Sequence, residues 1–412
     1  MKPRVALMAT LDTKGLELRY IRDILHDHGL STVVVDVGVY PPKGLQPDVR
    51  LAEGLSGLRR DAAMDRLGRA ACRCLSEWVR ANACDGVIGL GGNQGTAICG
   101  LAMRGLPHGL PRIVISTVAL TDVREHFEDS DVFIVSPVAD LVGGPNLVNQ
   151  PVLKNTARAM VTMARAYQSE KEQRLREVAI PTRPSIAISA FGNTEPAVIQ
   201  AMALLDDEGI DTVAFHASGT GGPSIDRLVD EGWIAGVLDL TPHELLAELY
   251  PDDIYRPVRK GRLMAAVRKG IPLVVAPGSL NYFCFGSAKE IPLQYQNRPT
   301  HYHNPYNTNV RANTEECERI ARELAVRLNQ ARGPVAVLFP KEGWTGNTGI
   351  EQPLYDPEAD QAFYDAFMEV RKQHVHVEFM DTHLNDVTFV ERAVAILREF
   401  MEKTTVSLSS EH

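Results

Sequence analysis

Short apolar runs alternate with amphipathic stretches along the chain. The first run, Val5 to Ala9, precedes a stretch in which leucines and isoleucines recur near helical spacing until Gly29. A second run, rich in β-branched residues, follows from Thr32 to Val37. The order of these segments predicts a βαβ unit at the start of the chain.

The same order of segments returns in the second half of the chain. Three pairs of segments match in the same sequence: Val5 to Val37 with Ile186 to Ala214, Asp85 to Gly92 with Ala235 to Pro242, and Arg112 to Ala119 with Pro272 to Ser279. Any two βαβ units share some resemblance, but three ordered matches favour an internal duplication of a whole domain over a short repeat.

Strands that alternate with helical stretches predict mainly parallel sheets with helices on both faces. We therefore predict an α/β fold of two tandem Rossmann-like, doubly wound domains. The length of 412 residues suits two cores. The charged stretch from Gln168 to Pro184, which ends with two prolines, predicts the boundary, giving domains of residues 1–180 and 181–412.

Composition excludes several classes of function. The net charge of −9 argues against a general nucleic-acid binder, although a local basic site can still hold a small anion. No apolar run reaches the roughly 18 residues that a membrane span needs. The six cysteines include no C-x-x-C pair, which predicts reduced thiols and a cytoplasmic location.

A glycine-rich loop, GLGGNQGT, follows the apolar run DGVIGL and precedes a predicted helix. Glycines allow close approach of the backbone to a ligand, and the start of a helix favours phosphate. The loop lacks the G-K-[ST] of a Walker A motif and the spacing of a dinucleotide fingerprint, and a turn that needs glycine only for its geometry is the alternative. The candidate ligand-binding residues are Gly91, Gly92, Asn93, Gln94, Gly95 and Thr96.

Polar residues at three other strand ends are expected to converge on this loop, because ligands in such sheets bind beyond the carboxyl ends of the strands. Lys14 offers a cation for phosphate, Thr13 a hydroxyl donor, and Asp12 a Mg²⁺ ligand or a helix cap. Plain capping with an exposed lysine is the alternative. The remaining candidates are Ser116 and Thr117, and Asp36 as a ribose ligand or an ordinary loop acid.

A second glycine-rich turn, in FHASGTGGPSIDRL, again lies between a predicted strand and a predicted helix. It predicts either a site for the carboxylate or phosphate of a substrate, or a turn kept for its geometry. Its candidate residues are Gly219, Thr220, Gly221 and Gly222. The segment Pro242 to Asp253 predicts a helix whose acidic residues face solvent.

Several polar residues in predicted loops of the second half are candidates for catalysis: His216, His303, Lys341, Glu342 and Asp381. His301 and His303, joined by His383, also have the composition of a divalent metal site. Loop histidines held by hydrogen bonds are the alternative, and no metal ligand is assigned.

Nine segments of the chain follow one another as in a known family. They are LDTKGLEL, GLGGNQGT, ASGTGGPSIDRLVDEG, GVLDLTPHELL, APGSLNYFCFG, HNPYNTNVR, GPVAVLFP, YDPEADQAF and THLND. Over about residues 4 to 400 the chain resembles the family that includes the tobamovirus-resistance protein of tomato and many bacterial and fungal proteins.

That family is described as having an ATP-binding domain. The resemblance implies two α/β subdomains, ATP binding and a tendency to dimerise. The family's DTK element corresponds to Asp12, Thr13 and Lys14, and its GG-x-x-GT element to the loop from Gly91 to Thr96. The pair Asn93-Gln94 stands where many members have smaller residues.

These observations predict an ATP-dependent enzyme that uses Mg²⁺. The first half holds the nucleotide, and a small anionic metabolite binds in a cleft between the domains for phosphoryl transfer or carboxylate activation. One alternative is a nucleotide-binding regulatory or interaction protein without turnover. Another is a lyase or hydrolase that uses both glycine-rich loops for a phosphorylated or carboxylated substrate. We expect a homodimer or higher homo-oligomer, and neither nucleic acid nor a membrane as a partner.

Overall fold

Two parallel six-stranded sheets organise the chain in the computed structural model, one in each of two units, Met1–Ile180 and Pro181–His412. The structure describes residues 2–52, 55, 57–121, 123–177 and 185–409, without the side chains of 172–177 and 405–409. The predicted α/β class is confirmed. The last part of the predicted boundary segment, residues 178–184, lies outside the described residues.

The N-terminal unit contains six strands and five helices among its described residues. The strands are β1 Arg4–Ala9, β2 Ser31–Asp36, β3 Val49–Arg50, β4 Gly86–Gly91, β5 Arg112–Ser116 and β6 Phe133–Val135. The helices are α1 Leu11–Asp27, α2 Arg60–Arg80, α3 Asn93–Met103, α4 Arg124–Phe127 and α5 Gln150–Glu177. The order across the sheet is β3-β2-β1-β4-β5-β6.

Helices cover both faces of this sheet. Successive side chains of a strand point to opposite faces, so Val5 and Leu7 pack in one core with α1 and α5. Ala6 and Met8 pack in a second core with α2 and α3. This two-sided burial explains why β1 is apolar without alternation.

The C-terminal unit contains a second parallel sheet. Its strands are β7 Ser185–Ala190, β8 Thr212–His216, β9 Ile234–Asp239, β10 Leu273–Val275, β14 Val335–Pro340 and β15 Val375–Met380, in the order β15-β14-β10-β9-β7-β8. Its helices are α6 Glu195–Asp206, α7 Gly221–Glu231, α8 His243–Leu249, α9 Met264–Lys269, α10 Thr314–Leu328, α11 Pro357–Val370 and α12 Val387–Ser409. None of the described helices of either unit is long and apolar enough to cross a membrane.

The two parallel sheets share a connection pattern. In the first sheet β1 pairs with β2 on one side and β4 on the other, and in the second β7 pairs with β8 and β9. The direction in which strands are added reverses at β1 and at β7, which opens a crevice at the carboxyl ends of the strands. The shared pattern agrees with the hypothesis of an internal duplication, which stays a prediction.

A three-stranded antiparallel sheet is formed by the part of the chain between β10 and β14. Its strands are β11 Tyr282–Phe285, β12 Thr300–Asn304 and β13 Asn307–Arg311, in the order β11-β13-β12. Two 3₁₀ turns, Ala288–Glu290 and Leu293–Tyr295, lie between β11 and β12. The turn from β12 to β13 is held by the Asn304 side chain, which accepts a hydrogen bond from the Tyr306 N–H at 2.8 Å.

Candidate functional site

The first glycine-rich loop lies at the crevice between β1 and β4 of the N-terminal unit. β4 ends at Gly91 and α3 begins at Asn93, so Gly92 alone forms the connection. No described side chain caps the start of α3, an eleven-residue helix. Its first-turn N–H groups and the positive end of its dipole therefore remain available to an anion.

The two adjacent glycines of this loop have different reasons to be there. A Cβ added to Gly91 would lie 2.6 Å from the Cα of Gly95, so the packing of the chain itself requires glycine. A Cβ added to Gly92 would meet only the Thr117 Oγ1, at 3.6 Å, which is an ordinary contact. The backbone of Gly92 is extended, with φ −82°, so its conformation does not require glycine either.

Hydroxyl groups join the start of α3 to the end of β5. The Oγ1 of Thr96 and the Oγ of Ser116 are both buried and lie 2.7 Å apart. The Thr117 N–H donates to the Gly91 carbonyl at 3.2 Å. The Thr96 and Ser116 hydroxyls therefore bind each other and fix the loop, whereas Thr117 is the hydroxyl residue beside Gly92.

Two carboxylates stand at the ends of β1 and β2. The Asp36 Oδ1 accepts hydrogen bonds from the N–H groups of Leu11 at 3.0 Å and Gly38 at 2.8 Å, so this buried acid caps α1. Burial raises the pKa of Asp36. The Asp12 Oδ2 accepts from the Tyr40 N–H at 3.3 Å, whereas its Oδ1 is buried without a hydrogen-bond partner. A Cβ on Gly38 would lie 3.0 Å from the Oδ1 of each acid, so the two carboxylates flank one residue.

The other two residues of the DTK element contact the chain itself. Thr13 donates its hydroxyl to the Thr10 carbonyl at 3.2 Å, and the Lys14 ammonium donates to the Leu141 carbonyl. In the loop, Asn93 is exposed and Gln94 is half-buried. The fold thus brings the predicted residues to the neighbouring carboxyl ends of β1, β2, β4 and β5.

A cavity of about 230 Å³ lies at the carboxyl ends of β7 and β8 in the C-terminal unit. Phe191 and Asn193 follow β7, His216 ends β8, and His303 comes from the antiparallel sheet. Two of the predicted catalytic residues, His216 and His303, therefore line one cavity.

Side chains along the strands of the antiparallel sheet point alternately to its two faces, which have different surroundings. Cys284 pairs with Asn309 across β11 and β13, and both line the cavity. Their strand neighbours Phe283 and Val310 belong to the hydrophobic core on the opposite face. One face of the small sheet is therefore a polar cavity wall, and the other anchors it to the unit.

The other three predicted catalytic residues follow β14 and β15. The Lys341 ammonium lies 2.8 Å from the Asp381 Oδ1, and both side chains are exposed. Glu342 is also exposed, and its N–H donates to the Thr382 carbonyl at 3.1 Å. The fold brings Lys341 and Asp381 together as a surface ion pair, while the described cavity lining contains none of the three.

The second glycine-rich turn binds the carboxylate of Glu244, a residue of the same chain. The N–H groups of Gly219 and Gly222 donate to the Glu244 Oε1 at 3.3 and 2.9 Å. The other oxygen of Glu244 lies 3.4 Å from the Arg262 Nε, and both side chains are buried. A Cβ on Gly221 would lie 2.1 Å from the His216 carbonyl oxygen, so packing requires this glycine.

A buried trio of titratable residues adjoins the cavity. The His243 Nε2 lies 3.1 Å from the Asp253 Oδ2, and its Nδ1 lies 2.8 Å from the Ser279 carbonyl oxygen. Burial alone would lower the pKa of His243, but Asp253 and Cys284 raise it well above its usual value. Burial raises the pKa of the Cys284 thiol, against the opposing effect of His243.

This trio was not predicted from the sequence, and its surroundings differ from the prediction. The prediction of a solvated acidic face from Pro242 to Asp253 is wrong for Glu244 and Asp253, which are buried, as is the neighbouring His243. Each has a charged partner, which is the condition under which such residues are buried. The available signal was the placement of His243 just after a predicted strand.

Histidine, aspartate and cysteine are metal-ligand types, and the ligand atoms of His243, Asp253 and Cys284 lie within 4.8 Å of one another. Hydrogen bonds engage both imidazole nitrogens of His243, as given above. Elsewhere, the rings of His301 and His303 are 6.3 Å apart. Both imidazole nitrogens of His383 have partners: the Nε2 lies 3.0 Å from the Thr345 carbonyl oxygen in the segment after β14, and the Nδ1 accepts a hydrogen bond from the Asn385 N–H at 3.0 Å.

Comparison with known proteins gives relatives along the whole chain. A UPF0261 protein of Clostridium tetani is 31% identical over 98% of this chain and 100% of its own length. One of Rhizobium meliloti is 33% identical, covering 96% of this chain and 98% of the relative. The ToMV resistance protein Tm-1 of Solanum lycopersicum is 30% identical over 100% of this chain and 56% of its own length.

Among solved structures, a putative UDP-N-acetylglucosamine 2-epimerase from Listeria monocytogenes matches 67% of this chain and 79% of its own, with a TM-score of 0.25 and 10% identity. A likeness this low carries no argument about function. The family resemblance stated from the motifs is confirmed. Residues 3–169 match the N-terminal domain and residues 183–401 the C-terminal domain of the Uncharacterised protein family UPF0261, to which this chain belongs.

Proposed function

We propose that the N-terminal unit binds the phosphates of a nucleotide, ATP with Mg²⁺, at the start of α3. The observation that carries this proposal is Gly92, where neither backbone conformation nor packing requires glycine. A ligand lying against the first turn of α3 supplies the missing reason, because any side chain at residue 92 would occupy its space.

Neighbouring residues fit the remaining needs of a nucleotide–metal complex. The unpartnered Oδ1 of Asp12 suits Mg²⁺, which prefers oxygen ligands and stays largely hydrated. Thr117 offers a hydroxyl beside Gly92. Lys14 is close enough to the loop after β6 to bind its carbonyl at Leu141, and releasing that bond would free the ammonium for a phosphate. The resemblance to a family described as having an ATP-binding domain favours ATP.

We further propose that the nucleotide serves a reaction, by phosphoryl transfer or carboxylate activation. Phosphoryl transfer needs mainly positioning and neutralisation of charge, which backbone N–H groups, a lysine and a metal provide. The ionisable residues in the cavity of the C-terminal unit favour an enzyme over a pure binding protein.

A second candidate is an enzyme of the C-terminal unit that does not use a nucleotide. The observation in its favour is that His216, His303 and Cys284 line one cavity. Proton transfer by histidine or attack by a thiol requires such convergence of side chains.

Thermal unfolding with ATP, ADP, GTP and NAD, each with and without Mg²⁺, tests the nucleotide proposal. The key variant is Gly92→Ala. Its matched control is Gly346→Ala in the C-terminal unit, where an added Cβ would also have its nearest neighbour at 3.6 Å. We expect ATP–Mg²⁺ to raise the Tm of the wild type and the control much more than that of Gly92→Ala. No rise with any nucleotide at millimolar concentration would refute ATP binding and favour the second candidate.

A further inference from the structure

We propose that the cavity of the C-terminal unit binds an uncharged, hydroxyl-bearing metabolite of about monosaccharide size. The ligand would lie between a row of asparagine side chains, from β13 and from the segment after β14, and the Tyr255 phenol. All residues of this site belong to the C-terminal unit, so the site does not depend on nucleotide binding by the N-terminal unit.

The dimensions of the cavity limit the ligand. Its volume of about 230 Å³ is below the roughly 300–1,000 Å³ typical of sites for drug-sized ligands. A metabolite of about monosaccharide size fits such a space.

Three asparagines form a directional chain of hydrogen bonds along the cavity wall. The Asn347 amide donates to the Asn309 Oδ1 at 3.3 Å, and the Asn309 amide donates to the Asn307 Oδ1 at 3.2 Å. The Asn307 amide then donates to the Tyr255 hydroxyl oxygen at 3.2 Å. The chain ends on this phenol, so the Tyr255 proton is left to donate to a ligand.

Asn193, one of the residues that line the cavity, has an acceptor without a donor. The Asn193 amide nitrogen donates to the Tyr282 hydroxyl at 2.7 Å. The Asn193 Oδ1 is buried and has no hydrogen-bond partner among the described residues. A ligand hydroxyl both donates and accepts, so hydroxyl groups on one small molecule can satisfy this oxygen and the Tyr255 proton.

The charge of the cavity wall argues against an anion. The described lining contains no lysine, arginine, aspartate or glutamate. Burial lowers the pKa of His216, which favours the neutral imidazole, and raises the pKa of Tyr255 to about 12, which keeps the phenol protonated. A phosphate or carboxylate would lose its hydration without a permanent positive charge to replace it. The uncharged ligand differs in this respect from the anionic metabolite predicted from the sequence, and the carboxylate activation proposed above would need a site other than this cavity.

An aromatic wall completes the match to a hydroxyl-bearing ring or chain. The Phe191 ring lies 5.2 Å from the His216 ring and 5.4 Å from the Tyr255 ring, and all three residues line the cavity. Carbon-bound hydrogens of a sugar or polyol pack against such a surface while the hydroxyl groups reach the amides.

Ligand-observed NMR by saturation transfer tests the proposal on the full-length protein. The probes are D-glucose, D-galactose, myo-inositol and xylitol, each at millimolar concentration, with D-gluconate and D-glucose 6-phosphate as charged counterparts. We expect at least one uncharged probe to bind and to bind more tightly than the charged ones. Absence of binding by all four uncharged probes, or tighter binding of a charged probe, overturns the proposal.

Variants locate the binding within the cavity. Tyr255→Phe keeps the ring and removes the donor, so we expect affinity to fall about tenfold, whereas the control Tyr306→Phe, at a side chain 84% exposed, leaves it unchanged. Asn347→Ala, at the head of the amide chain, provides a second test if Tyr255→Phe does not fold. Unchanged affinity in a folded Tyr255→Phe or Asn347→Ala variant refutes this site. Gly92→Ala is expected to leave sugar binding intact, which separates the outcome from that of the nucleotide proposal.

Discussion

The replacement of Gly92 by alanine separates the binding of a ligand from the stability of the fold. The added methyl group meets only the Thr117 Oγ1, at 3.6 Å, on a backbone that any residue adopts. Gly92 is the N-cap residue of α3, where alanine is less favourable than glycine, so we expect the free energy of unfolding to fall by no more than about 1 kcal/mol. Gly91→Ala, one residue earlier, forces contacts of 2.6 and 2.7 Å with the Gly95 backbone and should cost about 1–3 kcal/mol.

The effect on nucleotide binding is measured separately, as the stability that each protein gains when the ligand is added. At a ligand concentration of about 100 Kd, binding stabilises the native state by about 2.7 kcal/mol. For a unit of this size, each kcal/mol moves the Tm by about 2–4 °C, so the wild type should gain about 5–11 °C. A tenfold weaker complex at the same concentration gains about 1.4 kcal/mol, or about 3–6 °C.

Isothermal titration calorimetry with ATP and Mg²⁺, alongside the unfolding curves, measures both quantities for Gly92→Ala and the Gly346→Ala control. Equal ATP affinity in the wild type and Gly92→Ala would refute our reasoning, since the methyl group would then lie outside the ligand site. A large loss of stability without ligand in Gly92→Ala would refute the packing argument.

Three further predictions concern the C-terminal unit, and urea unfolding measures each of them. Tyr364→Phe removes the acceptor of the buried Trp344 indole N–H, at 2.7 Å, and should lower the free energy of unfolding by about 1–3 kcal/mol. The Arg392 guanidinium lowers the pKa of Glu378 to about 2 from 4.5, so Glu378→Gln should make the protein less stable at pH 7. The difference in the free energy of unfolding between Glu378→Gln and the wild type should shrink as the pH falls from 4.5 towards 2. A difference that stays constant with pH contradicts this prediction. Burial raises the pKa of Asp226 to about 6 from 3.8, so its contribution to stability is present below pH 3.8 and is lost as the pH rises through 6. Asp226→Asn should therefore gain stability relative to the wild type between pH 4 and 7, and a parallel pH profile would argue against this assignment.

Local patterns in the sequence were sufficient for the α/β class with parallel sheets and for the position of the first loop, but not for the three-stranded antiparallel sheet. Apolar runs such as Val5 to Ala9 and the helix stop at Gly29 predict the elements, and parallel topology then places polar strand ends at one edge. The different roles of Gly91 and Gly92 were not predictable, because they depend on distances to Gly95 and Thr117 across the fold.

The cavity of the C-terminal unit was only partly predictable. His216 and His303 were identified as polar loop residues, but nothing in the sequence indicates that Cys284 and Asn309, 25 residues apart, pair across two strands. The binding of Glu244 at the second glycine-rich turn was equally unpredictable from the sequence. A glycine-rich turn looks the same in the sequence whether its N–H groups face a ligand or Glu244.

The antiparallel sheet has a consequence for how this protein can change over evolution. The chain leaves the parallel sheet after β10 and rejoins it at β14, so one wall of the cavity is encoded by a single contiguous stretch. Because alternate residues of that stretch face the core, every second position can vary while its anchoring is preserved. Exchange of this stretch between relatives, as a cassette, would alter which molecules the unit selects and leave the order of the parallel sheet intact.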